Sequence, residues 1–181
     1  MRPGTNPAHG FTLLELMVAL AVLAILVTLG VPSFAGLVRS TREANAYHLV
    51  TTSFAAARVA AVKHGVPVTV CPSNDGTTCR SDLVWEEGWI LYRDPDRAQH
   101  PTSPDEVLQR LDGIGPGVTL RGTSGRMRVR FTPRGWAHGS NISLRLCETR
   151  HAQLLGRIVV NNGGRARTER SSEEVACPYA R

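Results

Sequence analysis

The chain has 181 residues, 42% hydrophobic and 20% charged, with a formal net charge of +6. That length suits one domain plus an anchor and excludes two full domains, and the apolar share supports a packed core even after a membrane helix is set aside. Lys63 is the only lysine among 21 basic residues. Such a bias follows from gene base composition, or from selection for planar groups that grip phosphate or carboxylate bidentately.

In chain order, Met1 to Gly10 is polar and carries Arg2 and His9. Phe11-Thr12-Leu13-Leu14-Glu15 follows, and Leu16 to Val31 holds no charge. An ordinary secretory signal has a basic start, an apolar stretch and a small-residue cut site after it. Ser33-Phe34-Ala35 offers such a site, which would leave a mature chain starting at Gly36. Two features favour a retained helix instead. Phe11–Leu14 plus the uncharged run reach the ~20 residues that span a bilayer. Glu15 stands inside that stretch, where an acid costs up to about 2.5–3.5 kcal/mol at a helix centre and marks function. Cleavage after Gly10 would give Phe11 a free ammonium group one turn from Glu15, and the carboxylate can pair with that amine or a neighbour's.

Gly10-Phe11-Thr12-Leu13-Leu14-Glu15-Leu16 resembles the type IV prepilin motif. The resemblance implies cleavage after Gly10 by the prepilin peptidase, methylation of Phe11, an essential acid at Glu15 and a helix-kinking proline at Pro32. It implies a leader over residues 1–10 and a transmembrane and assembly helix over 11–31. The protein would then sit in the inner membrane as a single-pass subunit, its globular part in the periplasm, until it assembles into a pilus with other minor and major pilins.

Past Pro32 an amphipathic helix is expected over residues 32–65. Ala46, Val50, Phe54, Ala57 and Ala61 fall on one stripe at helical period, with Leu49 and Ala60 beside them, and Arg39, Arg42, Glu43 and Arg58 supply polar positions. Gly65 and Pro67 end it. The stripe reads as core rather than as a cofactor site.

Residues 66–181 break into short runs rich in valine, leucine and aromatics. Expected strands are Val66–Val70, Gly88–Arg93, Val107–Leu111, Val118–Arg121, Arg126–Phe131, Asn141–Leu146, Gly156–Val160 and a short last one over Arg165–Glu169. Many short strands after one long helix imply an α+β fold, a long N-terminal helix packed on a β-rich antiparallel globular domain. Trp85 and Trp89 could stack on bases, but beside Gly88 and Cys79 they are expected as core or cover.

Cys71, Cys79, Cys147 and Cys177 form an even set behind an export-like N-terminus, which suggests two disulfides in an oxidising compartment. Cys71–Cys79 with Cys147–Cys177 is the favoured one of three pairings. No Cys-x-x-Cys or His-x-x-x-His spacing suggests zinc. Gly113-x-Gly115-x-Gly117 contains Pro116 and reads as a turn rather than a phosphate loop. No Gly-x-Ser-x-Gly elbow occurs. A non-enzymatic protein with no cofactor and no small-molecule substrate is expected.

Charge divides along the chain. Asp75 to Asp112 holds nine acids and four arginines, a net of −5, and Arg121 to Arg170 holds eleven arginines and two acids, a net of +9. The basic part suits a polyanion, unless its arginines scatter over several faces and pair with the acidic segment.

Cys71-Pro72-Ser73-Asn74-Asp75-Gly76 with Cys79, then Trp85-x-x-Gly88-Trp89 and Asp94, resembles the GspH/FimT branch of minor pilins and pseudopilins. Phe131-x-Pro133-x-Gly135, Cys147 and Gly164-Arg165-Ala166-Arg167 extend the match. Some FimT-like members serve DNA uptake in natural transformation through a Gly-Arg-x-Arg motif, which implies DNA contact by Gly164, Arg165 and Arg167, with Arg170 nearby. GspH-like members are pseudopilins of type II secretion. Asn161-Asn162-Gly163-Gly164 reads as a turn that presents the motif, and in a strand Arg165 and Arg167 share a face. The competing reading has these arginines solvating an edge strand or pairing with Glu169, Glu173 and Glu174.

Overall fold

The computed structural model describes residues 12–179, except the side chains of Pro32, Ser33 and Ala35. Gly10 and Phe11, on which the processing expectation rests, lie outside the described residues. The chain forms two compact units, one up to Thr41 and one from Arg42 onward.

One helix, α1 (Leu13–His64), runs for 52 residues and passes through Pro32 as a single element. The threonine hydroxyl of Thr12 accepts the Glu15 backbone N–H at 3.2 Å, and its carbonyl accepts Leu16 N–H at 3.1 Å. Thr-x-x-Glu is the sequence pattern of a capping box, and a glutamate in the first turn also complements the helix dipole. Gly65 stops the helix in the left-handed region at φ 68°, with its N–H donating to Ala61 O at 3.1 Å.

In the first unit the apolar side chains face outward: Leu13 is 77% exposed and Leu29 70%. This helix is long and apolar enough to cross a membrane. Thr28 donates its hydroxyl back to Ile25 O at 2.9 Å, which satisfies a polar group that lipid would leave unpaired.

In the second unit the stripe Ala46, Val50, Phe54, Ala57 and Ala61 is buried, and Leu49 and Ala60 pack against the same core. Two antiparallel four-stranded sheets meet it. The strands are β1 (Val68–Pro72), β2 (Gly88–Arg93), β3 (Val107–Asp112), β4 (Val118–Gly122), β5 (Val129–Phe131), β6 (Ile142–Glu148), β7 (Gln153–Val160) and β8 (Ala166–Arg170). One sheet has the order β3-β2-β1-β5 and the other β4-β6-β7-β8. The last strand is therefore an edge.

Eight strands are expected and eight form among the described residues, β2 at its expected bounds and the others with shifted ends. The fifth is shorter than Arg126–Phe131 because Arg126 closes a turn onto Thr123 O and its guanidinium caps Gly139 O. The seventh starts earlier, at Gln153, because β6 and β7 pair across a bulge at Leu146/Cys147 and so continue past Gly156. Phe54 meets Trp85 edge-on at 6.1 Å and Phe131 at 6.5 Å; Phe131 lies in β5, and Trp85 backbone N–H donates to Leu120 O of β4, so the ring ties the helix to both sheets. Trp85 and Trp89 are each 1% exposed, as expected of core residues.

Disulfides join Cys71 to Cys79 and Cys147 to Cys177. The second pins the C-terminal tail on β6, and Cys177 N–H donates to Ala152 O, between β6 and β7, at 2.6 Å. Buried Asp94 accepts Thr69 Oγ1 at 2.5 Å and Arg130 Nε at 2.7 Å, which fastens β1, the end of β2 and β5 together.

Two core phenols carry a pH signature. Burial, with Glu43 adding to it, pushes Tyr47 up to about 12, and burial with Asp94 does the same for Tyr92. Their folded-state values lie above the unfolded value near 10, so the stability they contribute is whole below about pH 10 and is lost as pH rises toward 12. Alkaline denaturation followed by near-ultraviolet circular dichroism should show this loss. Tyr47→Phe combined with Tyr92→Phe should flatten it.

Candidate nucleic-acid interface

The turn from Asn161 to Arg165 joins β7 to β8. Gly164 N–H donates to Asn161 O at 2.9 Å, and Arg165 N–H donates to Asn161 Oδ1 at 3.0 Å. A second turn, Thr132 to Trp136, closes with Thr132 N–H on Trp136 O and Gly135 N–H on Thr132 O, both at 2.8 Å. The two turns are bound to each other by Ala137 N–H on Asn162 O at 2.8 Å.

Gly164 is buried at that junction with φ 71°, and a Cβ there would lie 2.2 Å from Gly135 O. Only glycine fits the position on both counts. Gly164 was expected among the DNA-contacting residues. It is buried at the junction and lines the groove beside Arg165, where it shapes the backbone that presents that arginine.

The three arginines of the site have different environments. Arg165 is exposed, and its side chain has no ion-pair partner among the described residues. Arg167 bonds Glu169 Oε1 at 2.8 Å, while Arg157 engages Oε2 of the same carboxylate. Hydrogen bonds first from Arg157 and then from Arg167 hold the Glu169 carboxyl below the usual range. Two arginines thus share one acid and keep a net charge of +1. Arg170 stands 3.9 Å from Glu43 and lies over the Tyr47 ring at 5.8 Å.

Elsewhere the basic segment does pair with the acidic one. Arg121 bonds Glu86 at 2.5 Å and Arg130 bonds Asp94 at 2.7 Å. The arginines therefore spread over several faces, and only part of the +9 is available to a polyanion.

Arg165 lines an open groove of about 710 Å³ with Arg58 and Lys63 from α1. Ala55, Val59 and Val62 form its apolar wall, and no carboxylate lines it. In the sequence Arg58 is legible only as a polar helix position and Lys63 only as the single lysine. Their convergence with Arg165 depends on where the β7–β8 turn lands. Among the described residues no group of His, Cys, Asp or Glu is placed to hold a metal.

A 52-residue helix, apolar in its first half and packed by its second half on antiparallel sheet, defines the class: this is a pilin-like subunit. The prokaryotic N-terminal methylation motif matches residues 5–31, and the family described as type II transport protein GspH matches residues 46–164. The chain belongs to that GspH family of minor pilins and pseudopilins, which are structural subunits rather than enzymes.

Among solved structures, the type IV minor pilin FimU of Pseudomonas aeruginosa is similar at 17% identity and TM-score 0.58, over 77% of this chain and 96% of that one. A second crystal form of FimU gives 18% and 0.54, over 73% and 97%. The minor pseudopilin EpsH of Vibrio cholerae gives 10% and 0.48, over 70% and 95%. Comparison with curated protein sequences finds no match.

Gly164→Ala should lower the unfolding free energy by about 1–3 kcal/mol through left-handed strain and the clash with Gly135 O. Gly163→Ala is the control, because its Cβ would meet only the Asn161 side chain, at 3.4 Å. Denaturant titration of the two variants should separate them clearly.

Proposed function

We propose that this protein is a minor type IV pilin that binds DNA without sequence preference during natural transformation. It is made with residues 1–10 as a leader, cut after Gly10 by the prepilin peptidase and methylated at Phe11. The apolar segment from Phe11 to Val31 holds it in the inner membrane as a single-pass protein, with the globular unit in the periplasm. From there it assembles with other minor and major pilins.

The observation that carries the DNA reading is Arg165, unpaired and presented by a rigid turn beside Arg58 and Lys63 in a groove without acids. Cations of this kind neutralise backbone phosphates, which hold no base identity, so affinity falls with salt and is alike for every sequence. Arg157 and Arg167 add one net charge next to it, and Glu169 limits their contribution.

A second reading is favoured by the description of the matched family: a GspH-like pseudopilin of type II secretion. In that case the same basic face meets a secretion partner.

Full-length mature protein in detergent micelles should bind labelled DNA in fluorescence anisotropy with a Kd of about 1–100 μM at physiological salt. Arg165→Ala combined with Arg167→Ala should weaken binding to all sequences equally. Glu169→Gln frees Arg157 and Arg167, so it should tighten binding several-fold and steepen the salt dependence by about one to two phosphate equivalents. A double variant that binds as well as wild type removes the site.

In cells, the double variant should lose transformation and keep its pili. Intact transformation with impaired secretion would favour the pseudopilin reading. Mass spectrometry of the mature N-terminus should find methylated Phe11. A chain beginning at Gly36 would overturn the anchoring scheme.

A further inference from the structure

Trp136 is the only exposed tryptophan, tyrosine or phenylalanine among the described residues of the globular unit, at 49% exposure. The same fold buries Trp85 and Trp89 almost completely. Leaving one indole in water forgoes a large hydrophobic gain, and the surroundings of Trp136 hold it there. Its backbone N–H donates to Thr132 Oγ1 at 3.2 Å and its backbone carbonyl accepts Thr132 N–H at 2.8 Å. The exposed His138 ring stands against the indole, with centroids 4.5 Å apart and planes 44° from parallel.

The turn that presents Trp136 also abuts the basic groove. A Cβ on Gly135 would lie 3.0 Å from Arg58 Nε and 3.5 Å from Val62, and Gly135 O touches the Gly164 position that precedes Arg165. Arg134 is exposed two residues before Trp136. None of Arg58, Lys63, Arg134 and Arg165 has an acidic partner among the described residues. The hydroxyls of Thr51 and Thr52, on the groove wall, turn back onto helix carbonyls at 2.7 Å. What remains is an aliphatic wall flanked by Arg58, Lys63 and Arg165, with the Trp136 turn packed at its edge through Gly135.

We propose that this surface captures unpaired DNA bases: Trp136, backed by His138, stacks a base, while Arg58, Lys63, Arg134 and Arg165 hold the flanking phosphates. The inference rests on the DNA-binding reading above and adds a strand preference to it. An aromatic face beside a cationic groove is the chemistry of single-strand recognition, where each stacked base contributes without sequence preference. In an intact duplex the base faces are already stacked, and only the phosphates are offered. Single strands, overhangs and frayed ends should therefore bind more tightly than blunt duplex.

The test uses full-length mature protein in detergent micelles and three labelled probes: a poly-dT strand, a blunt duplex and the same duplex with a 3′ overhang. Wild type should prefer the strand and the overhang over the blunt duplex by about tenfold. Trp136→Ala should abolish that preference and leave duplex affinity within about twofold, since it removes no phosphate contact. Trp136→Phe should keep most of the preference. The strand should also quench the exposed tryptophan emission of wild type, and this quenching should be absent in Trp136→Phe.

Equal binding of strand and duplex by wild type, or a strand preference that survives Trp136→Ala, overturns this proposal and leaves the phosphate site standing. Failure to bind any probe overturns the DNA reading itself. Loss of pili in Trp136→Ala with strand binding intact would make the indole an assembly contact and also overturn the proposal.

Discussion

The globular unit depends on one packing contact, the stripe of α1 laid against two small sheets. Its members are mostly small: Ala46, Ala57 and Ala61 let strand side chains approach the helix, and Val50 and Phe54 fill the space between. Phe54 is the hinge of the arrangement, because its ring packs on Trp85, which precedes β2 and bonds Leu120 O of β4, and on Phe131 in β5. No second α-helix forms among the described residues, and the stripe shares one core with the apolar residues of both sheets. The edge strand β8 is placed by the same contact, since Ala166 packs on the core while Arg170 lies on Tyr47.

That placement explains why the arginines are not equivalent. Some are structural cross-links: Arg130 reaches buried Asp94, and Arg121 reaches Glu86. Such pairs offset the cost of burying an acid, and they bind the acidic and basic segments of the chain into one body. Others are held in reserve, as Arg157 and Arg167 are by Glu169. Arg165 is different because a buried glycine, not an acid, determines where it stands. The same junction brings the Trp136 turn beside it, so an aromatic and a cation distant in sequence share one surface.

Much of the architecture was legible because it is written in local patterns. The four-and-three spacing of Ala46 to Ala61 marks a helix face whatever it packs on, and the stop at Gly65 and Pro67 is local chemistry. Strand ends were less legible where side chains captured backbone groups, as at Arg126, or where a bulge extended pairing, as at Leu146 and Cys147. Thr12 as the helix cap was available from Thr-x-x-Glu but is easily read only as part of a processing motif. The basic site was half legible. Arg165 and Arg167 stand out as a motif, whereas Arg58, Lys63 and Trp136 belong to segments with other evident roles.

By itself, the sequence determined the class of protein: an uncharged span with one acid at its head, an amphipathic helix, and alternating short strands, each a consequence of periodicity and composition over neighbouring residues. The tertiary structure alone decided which charges are free. Ion pairing depends on distances of a few ångströms between residues far apart in the chain, and no local pattern carries those distances. Glu169 thus neutralises part of the arginine motif from within its own strand, while Arg165, Arg58 and Lys63 meet only because β8 closes beside α1.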